Sequence, residues 1–432
     1  MFKKLLKRLK SSEFIVNVSK LTSATSIGQL SAILTAPILY RLYEKSSYGT
    51  LGLYMAITGV VGVFSTMQYL QTILLEKEAK NALTALWLNR LLNTGFALVI
   101  ALVILIFHNH IAFWLKNPAI HRWLWLIPVS IFFSGQNEIL RVWANRCQEY
   151  NILTLNGILT SILIPVFSIS LGLLYRGNDL GLFVGLVIGQ CAPALILFFS
   201  LRRKHDFGQL KEHTHKLIPF AKSNKMFPIY SLPSEFVNRF TNQLPVFMLN
   251  QYAGAGAVGV YNLAVRMLGL PIQFIGNAIS TVFQQRAAKD YKETGSCRNI
   301  FLKTFKTLGV ISLVPVIIIL SFGPTLFSTI FGAEWYDAGR YAQVLILLFA
   351  GKLIVSPLSY MFYISKKLKE DFYWHIWMLV SNSALFLILF RLDWDVRNIL
   401  LIYAVNYTLI YLIYLFRSYQ FTIRSSDTLE TQ

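Results

Sequence analysis

Apolar residues in this chain come in unbroken runs of about twenty, not in the narrow three- and four-residue stripe of a soluble amphipathic helix. Such runs can be marked at 15–38, 51–74, 87–107, 123–143, 153–175, 180–200, 228–250, 258–282, 304–327, 340–363, 372–391 and 397–416. At 1.5 Å per residue each crosses a hydrocarbon core of ~30 Å. The pattern predicts an all-α polytopic membrane protein of about 12 transmembrane helices. Connections are short except around 201–227 and 284–303, and no stretch reads as a water-soluble domain.

The chain repeats itself at about half its length. TAPILYRLYEKSSYGTLGLY around Pro37 resembles QLPVFMLNQYAGAGAVGVY around Pro245, with Gly52 and Tyr54 answering Gly259 and Tyr261. Phe113 and Arg122 answer Phe331 and Arg340 further on. Six helices per repeat is an even number, so both halves enter the membrane the same way, as in parallel-repeat transporters. The expected organisation is an N-terminal six-helix lobe at 1–200, a cytoplasmic linker at 201–227 and a C-terminal six-helix lobe at 228–432.

Composition agrees with the pattern. Only 14% of residues are charged, against about 25% in soluble domains, while 55% are hydrophobic. The formal charge of +20 would raise nucleic-acid binding in a soluble protein. Here most of it is topological. With the N-terminus in the cytoplasm, 28 Lys and Arg fall on the inner side and 8 on the outer, a strong positive-inside bias that places both termini in the cytoplasm. The basic start, MFKKLLKRLK, lacks the compact apolar run and cleavage site of a signal peptide. Cys147, Cys191 and Cys297 show no metal-ligand spacing, and no disulfide is expected.

Four cations remain inside the spans: Lys20, Arg239, Arg266 and Lys352. Each costs ~2.5–3.5 kcal/mol at mid-membrane unless it faces protein or water. They are therefore expected to line an aqueous chamber. Polar residues share helix faces with them: Ser26 and Gln29 in the first span, and Thr58 and Gln68 in the second. The seventh carries Glu235, Asn238 and Asn242, the eighth Asn262, Gln273 and Asn277, and the tenth Ser356. A chamber with more positive than negative charge suits an anionic, hydroxyl-rich solute such as a sugar attached to phosphate. Glu235 and Arg239, four apart, either neutralise one another or leave Glu235 for a coupling ion. Lys20 either lines the chamber or snorkels to the cytoplasmic surface. Arg266 and Lys352 have no acidic residue at helical spacing and are the better substrate contacts, while Glu138 and Arg141 read as a structural pair.

Other patterns point elsewhere. Gly254, Gly256 and Gly259 spell a dinucleotide-binding fingerprint, but no strand precedes them and they fall in an expected outer loop. Gly181, Gly185 and Gly189 recur every fourth residue, as on a close-packing helix face. The pairs His108/His110 and His213/His215 lack further ligands, so neither a metal nor any other cofactor is expected. Pro165, Pro193, Pro271, Pro315 and Pro357 lie inside spans as candidate kinks.

The run GVYNLAVRMLGLPIQFIGNAISTVFQQRAA, from Gly259 to Ala288, resembles the seventh/eighth-helix signature of polysaccharide-biosynthesis flippases. RLYEKSSYGTLGLY and FGAEWYDAG are similar to that family's outer loops. The resemblance implies the fold of the multidrug/oligosaccharidyl-lipid/polysaccharide (MOP) superfamily: two six-helix lobes in a V, working by alternating access. For Wzx-type members it implies movement of undecaprenyl-diphosphate-linked oligosaccharide across the bacterial inner membrane, for O-antigen or other surface polysaccharide. Membrane lipids and other polysaccharide-assembly proteins are the partners it implies, without nucleic acid and without enzymatic turnover. It assigns diphosphate-binding roles by type to Arg266, Arg239, Lys352 and Lys20, best supported at Arg266. Two alternatives stand beside it. A multidrug or cation antiporter of the same superfamily would show poised carboxylates, whereas the intramembrane excess here is basic. A membrane polysaccharide polymerase or ligase would need a sizeable outer catalytic loop.

Overall fold

In the computed structural model the described residues are 13–175, 177–207, 210–365, 367–392 and 394–423, without the side chains of 13–27, 210–214, 273 and 368. They are almost wholly helical. The long helices are α1 (Glu13–Leu42), α2 (Lys45–Gly62), α3 (Ala79–Trp114), α4 (Ile127–Arg146), α5 (Tyr150–Leu174), α6 (Leu180–Lys204) and α7 (Leu210–Ser223). They continue with α8 (Leu232–Pro271), α9 (Asn277–Thr294), α10 (Arg298–Phe331), α11 (Tyr336–Leu358), α12 (Leu368–Arg391) and α13 (Val396–Gln420). Nine helical stretches among the described residues are long and apolar enough to cross a membrane. One of them, Phe227–Thr294, contains two of the expected runs, and α1 and α4 fall outside the nine. α4 carries Gln136, Asn137, Glu138 and Arg141 in its middle, which dilutes its apolar character.

Exposed apolar stripes mark the lipid face. On α3, Leu98, Val99, Leu102, Leu105 and Ile106 are 55–66% exposed at helical spacing. Val310, Leu313, Val314 and Ile317 repeat this on α10. A soluble protein rarely leaves so continuous a patch in water, whereas lipid covers it at no cost. The chain is therefore a multi-pass membrane protein.

The chain divides into two compact units, Met1–Arg239 and Phe240–Gln432, with the division inside α8. In the first unit, α5 and α6 pack along the glycine face read from the sequence. A methyl on Gly185 would come within 2.8 Å of the Ser168 backbone nitrogen, and one on Gly189 within 3.1 Å of that of Ile164. Trp123 stacks on Phe183 at 4.1 Å, and Tyr54 meets the same ring edge-on at 5.3 Å. In the second unit, Phe283, Ala287, Phe301, Leu358 and Met361 form a buried cluster. There α10 and α11 touch backbone to backbone at Gly323 and Gly339.

Three expected loops are helical. The 201–227 region contains α7, whose Phe220 packs against the core of the first unit and whose Ala221 carbonyl accepts from the Tyr69 hydroxyl at 3.0 Å. The 284–303 region is helix except at 295–297, and α9 stops where Gly295 turns left-handed at φ 72°. Residues 284–294 are polar but rich in helix formers, so hydropathy alone marks them as loop. The glycines 254–259 lie in α8, where one residue, Gly254 at φ 80°, makes a kink and not a loop. The prolines 165, 193, 271, 315 and 357 all lie within helices, and Pro271 leads into a π-helical turn, Ile272–Gly276.

Between α4 and α5, Glu149 accepts from Lys204 Nζ at 2.7 Å and His205 Nε2 at 3.1 Å. The Lys204 hydrogen bond, opposed in part by burial, holds its carboxyl below the ordinary 4.5. A depressed carboxylate adds stability above its unfolded pKa and loses it as pH falls through the folded one. Glu149→Gln is therefore expected to cost no more than about 1 kcal/mol at neutral pH, as an exposed pair does. It should also flatten the fall in melting temperature between neutral pH and the region below 4.5. Scanning fluorimetry of the detergent-solubilised protein across that range checks this; parallel acid limbs in both proteins would show that the cluster contributes nothing.

Candidate functional site

Of the four in-span cations, the three with described side chains do not share one environment. Arg239 donates Nε to Glu235 Oε1 at 2.7 Å, one helical turn away on α8. The pair therefore neutralises itself, as its spacing allows. It lines a polar cavity of about 360 Å³ in the first unit, with Thr58, Ser65, Thr66, Gln68, Ser134 and Glu138. Below α2 the backbone breaks: a 3-10 turn ends at Met67 and Gln68, both left-handed at φ 49° and 60°. Such values are uncommon outside glycine and mark a place where surrounding structure imposes the conformation. Glu138 forms no ion pair with Arg141, contrary to the sequence expectation, although the two are three residues apart; it faces this cavity instead. The cavity holds two carboxylates against one guanidinium.

The second unit contains the opposite arrangement. Arg266 on α8 and Lys352 on α11 line one cavity of about 360 Å³ with Asn242, Gln243, Tyr261, Tyr403 and Tyr407. Lys352 Nζ donates to Asn242 Oδ1 across a long 3.4 Å. No carboxylate lines the cavity, and no ion pair joins Arg266 or Lys352 to an acidic residue among the described residues. Two unneutralised cations facing one space repel each other, and more strongly the less water surrounds them. An anion between them relieves that repulsion, and the arginine fork matches a phosphate edge with two parallel hydrogen bonds.

Three tyrosines, Tyr261, Tyr403 and Tyr407, also line the cavity. Tyr403, Tyr407 and Tyr411 follow one another up α13, with ring centroids 5.6 Å and then 4.8 Å apart. The Tyr411 hydroxyl donates to that of Tyr407 at 3.5 Å. Tyr261 reaches the cavity from α8. Flat apolar faces with hydroxyls at their edges suit a sugar ring, which has apolar and polar faces of its own. The unit thus offers an anion clamp beside an aromatic wall.

The remaining sequence candidates are spread out. Asn242 joins the cation cavity and Thr58, Gln68 and Glu235 the acidic one. Asn262 is half-buried on α8, with its amide nitrogen enclosed and unpartnered. Asn238 and Gln29 are half-buried, while Asn277 and Ser356 are exposed, the latter one turn beyond Lys352. The side chains of Lys20, Ser26 and Gln273 lie outside the described residues. Sequence reasoning missed Tyr261, Tyr403, Tyr407 and Gln243. The repeat read from the sequence pairs Tyr261 with Tyr54, and both are buried, Tyr54 with its hydroxyl 2.6 Å from Ser130 Oγ.

Comparisons with known proteins agree with the fold. Residues 38–340 match the family described as polysaccharide biosynthesis protein. A curated relative, the teichuronic acid biosynthesis protein TuaB of Bacillus subtilis (strain 168), is 26% identical over 148 residues; the match spans 34% of this chain and 31% of that relative, about a third of its length. Among solved structures, the lipid II flippase MurJ in an inward closed conformation superposes with a TM-score of 0.71 at 16% identity, covering 94% of this chain and 87% of MurJ. An inward-facing multidrug resistance MATE family transporter of the MOP superfamily gives 0.67 at 14% identity over 95% and 99%. A MOP superfamily transporter from Pyrococcus furiosus, described as having a binding pocket of reverse polarity, gives 0.62 at 14% over 96% of each chain. The chain shares the fold of these solved MurJ and MATE structures.

Proposed function

Because the chain belongs to the polysaccharide biosynthesis protein family, we propose that it is a flippase for lipid-linked oligosaccharide. In this reading it moves undecaprenyl-diphosphate-linked repeat units from the inner to the outer leaflet of the bacterial cytoplasmic membrane, for O-antigen or another surface polysaccharide. The observation that carries the proposal is the unneutralised pair Arg266 and Lys352 in a cavity walled by tyrosines. A diphosphate brings two adjacent negative groups, and the sugars attached to it bring rings and hydroxyls. Arg266 holds the diphosphate in its fork, Lys352 supplies a second charge that Asn242 positions, and the tyrosines take the first sugar. The step needs no bond made or broken. Alternating access would carry the occupied cavity from one leaflet to the other, with both chain termini in the cytoplasm.

A multidrug antiporter of the same fold is the reading to separate from this one, since the acidic cavity of the first unit carries the charge a cationic drug would seek. Deleting the gene is expected to trap lipid-linked repeat units in the inner leaflet and to remove surface glycan. Mass spectrometry of extracted lipid-linked sugars, with protease-free glycan staining of whole cells, reads both. Intact glycan together with hypersensitivity to cationic drugs would replace the flippase with the antiporter.

A further inference from the structure

A second cavity of the same unit, about 190 Å³, adjoins the cation cavity. Its wall includes Leu270, Pro315, Ile319, Phe327, Phe331 and Leu353 from α8, α10 and α11. Ile272 and Phe349 line both cavities, so the two spaces meet across a pair of side chains. Only Ser312 contributes a polar side chain, and its hydroxyl already donates to the Gly309 carbonyl at 2.8 Å. The cavity therefore presents no unsatisfied side-chain donor or acceptor to an occupant. Protein interiors are otherwise close-packed, so a persistent apolar space calls for an occupant made of hydrocarbon.

Irregular helical backbone borders it. Pro271 ends α8 and the π-helical turn Ile272–Gly276 follows at once, while Pro315 lies inside the continuous α10. Each feature removes or widens a rung of the helical ladder, and π turns recur at functional sites. Phe327 and Phe331, tilted against each other at 5.6 Å, line it.

We infer that this apolar cavity seats the first isoprene units of the lipid whose diphosphate lies between Arg266 and Lys352. The inference rests on the flippase reading and deepens it: head group and proximal chain are held by one unit, in two adjoining cavities of opposite character. A loose bilayer lipid has its head group in the interface and gains nothing from the neighbouring cations. A polyisoprenoid diphosphate occupies both spaces with one molecule.

The test is photolabelling of the full-length protein in nanodiscs, using a polyprenyl diphosphate with a diazirine in its second isoprene unit. Labelled peptides are expected to contain residues 267–272 and 312–331, with label competed by unmodified undecaprenyl diphosphate and not by excess dioleoyl phosphatidylglycerol. Ile319→Trp, which fills the cavity, should lose about tenfold of the label, the change expected when roughly two methylene groups are denied burial. Ala350→Leu is the milder filling variant should the first fold poorly, and the wild-type label map needs neither. Label elsewhere, or equal competition by phosphatidylglycerol, overturns the inference. If binding of the probe then still depends on Arg266, the flippase reading survives that failure. If binding ignores Arg266 and label spreads over the lipid-facing helices, both fail together.

Discussion

Arg266→Ala is expected to stop export of lipid-linked repeat units, while Arg266→Lys keeps part of it. Hydrogen bonds to charged groups contribute about 1.5–3 kcal/mol each, so losing both bonds of the guanidinium fork should weaken head-group capture by about 100-fold or more. Lysine restores the charge without the second parallel hydrogen bond, and an intermediate rate follows. Arg239→Ala is the informative contrast. Its guanidinium is already neutralised by Glu235 at 2.7 Å and lies in the other unit's acidic cavity, so its loss should affect head-group capture much less. Complementation of a deletion strain, read as surface glycan and as trapped lipid-linked sugar at matched protein levels, checks the series. Near-normal export in Arg266→Ala would remove this residue from the substrate site. Equal loss in Arg239→Ala would return the acidic cavity to the substrate path.

The second large effect is on folding. Gly339→Ala is expected to cost on the order of 3 kcal/mol, the upper part of the range for overpacking. A methyl there would come within 2.4 Å of Pro324 Cα and 2.5 Å of the Gly323 carbonyl oxygen. Both are backbone atoms, so no rotamer change relieves the contact, and α10 must move away from α11. Such a cost is a large fraction of the 5–15 kcal/mol of a typical domain. Gly309→Ala, on α10 with open space where its methyl would go, is the control, and is expected to be neutral or stabilising by up to about 1 kcal/mol. Melting temperature and monodisperse yield in detergent read both variants. A Gly339→Ala protein as stable as the wild type would show that the two helices do not touch as described.

Much of the helical frame was legible because membrane spans are written redundantly: each needs about twenty apolar residues, and one polar substitution does not erase the signal. The glycine face of α6 was legible for a similar reason, since Gly181, Gly185 and Gly189 repeat at the spacing of a helix turn. Gly339 was not, because its partner Gly323 is on another helix and no local spacing connects them. α7 and the later part of α9 were hidden by their polarity, since a search for apolar runs does not see polar helices.

Among candidate site residues, Arg266 and Lys352 stood out because a charge in a span is rare and expensive. The structure brings these two to one cavity and leaves Arg239 paired with Glu235 in another. Sequence could not divide them, because a count of polar faces does not say which faces meet. Tyr403 and Tyr407 were invisible for a different reason. Tyrosines four apart on an apolar helix read as core, and only packing shows that these border a cavity with two cations. Glu138 shows the limit of spacing rules: three residues from Arg141 is near enough to pair, but side-chain direction is set by the cavity beside it.

In this reading two cations without carboxylate partners, Arg266 and Lys352, bind an anionic lipid-linked sugar and carry it across the bilayer. Purified protein in liposomes that contain a fluorescent undecaprenyl-diphosphate oligosaccharide tests it most directly, with a membrane-impermeant quencher reporting leaflet exchange. Exchange well above that of protein-free liposomes is expected, falling to that background in the Arg266→Ala, Lys352→Ala double variant. Exchange at the protein-free rate with the wild type, or undiminished exchange in the double variant, would contradict it.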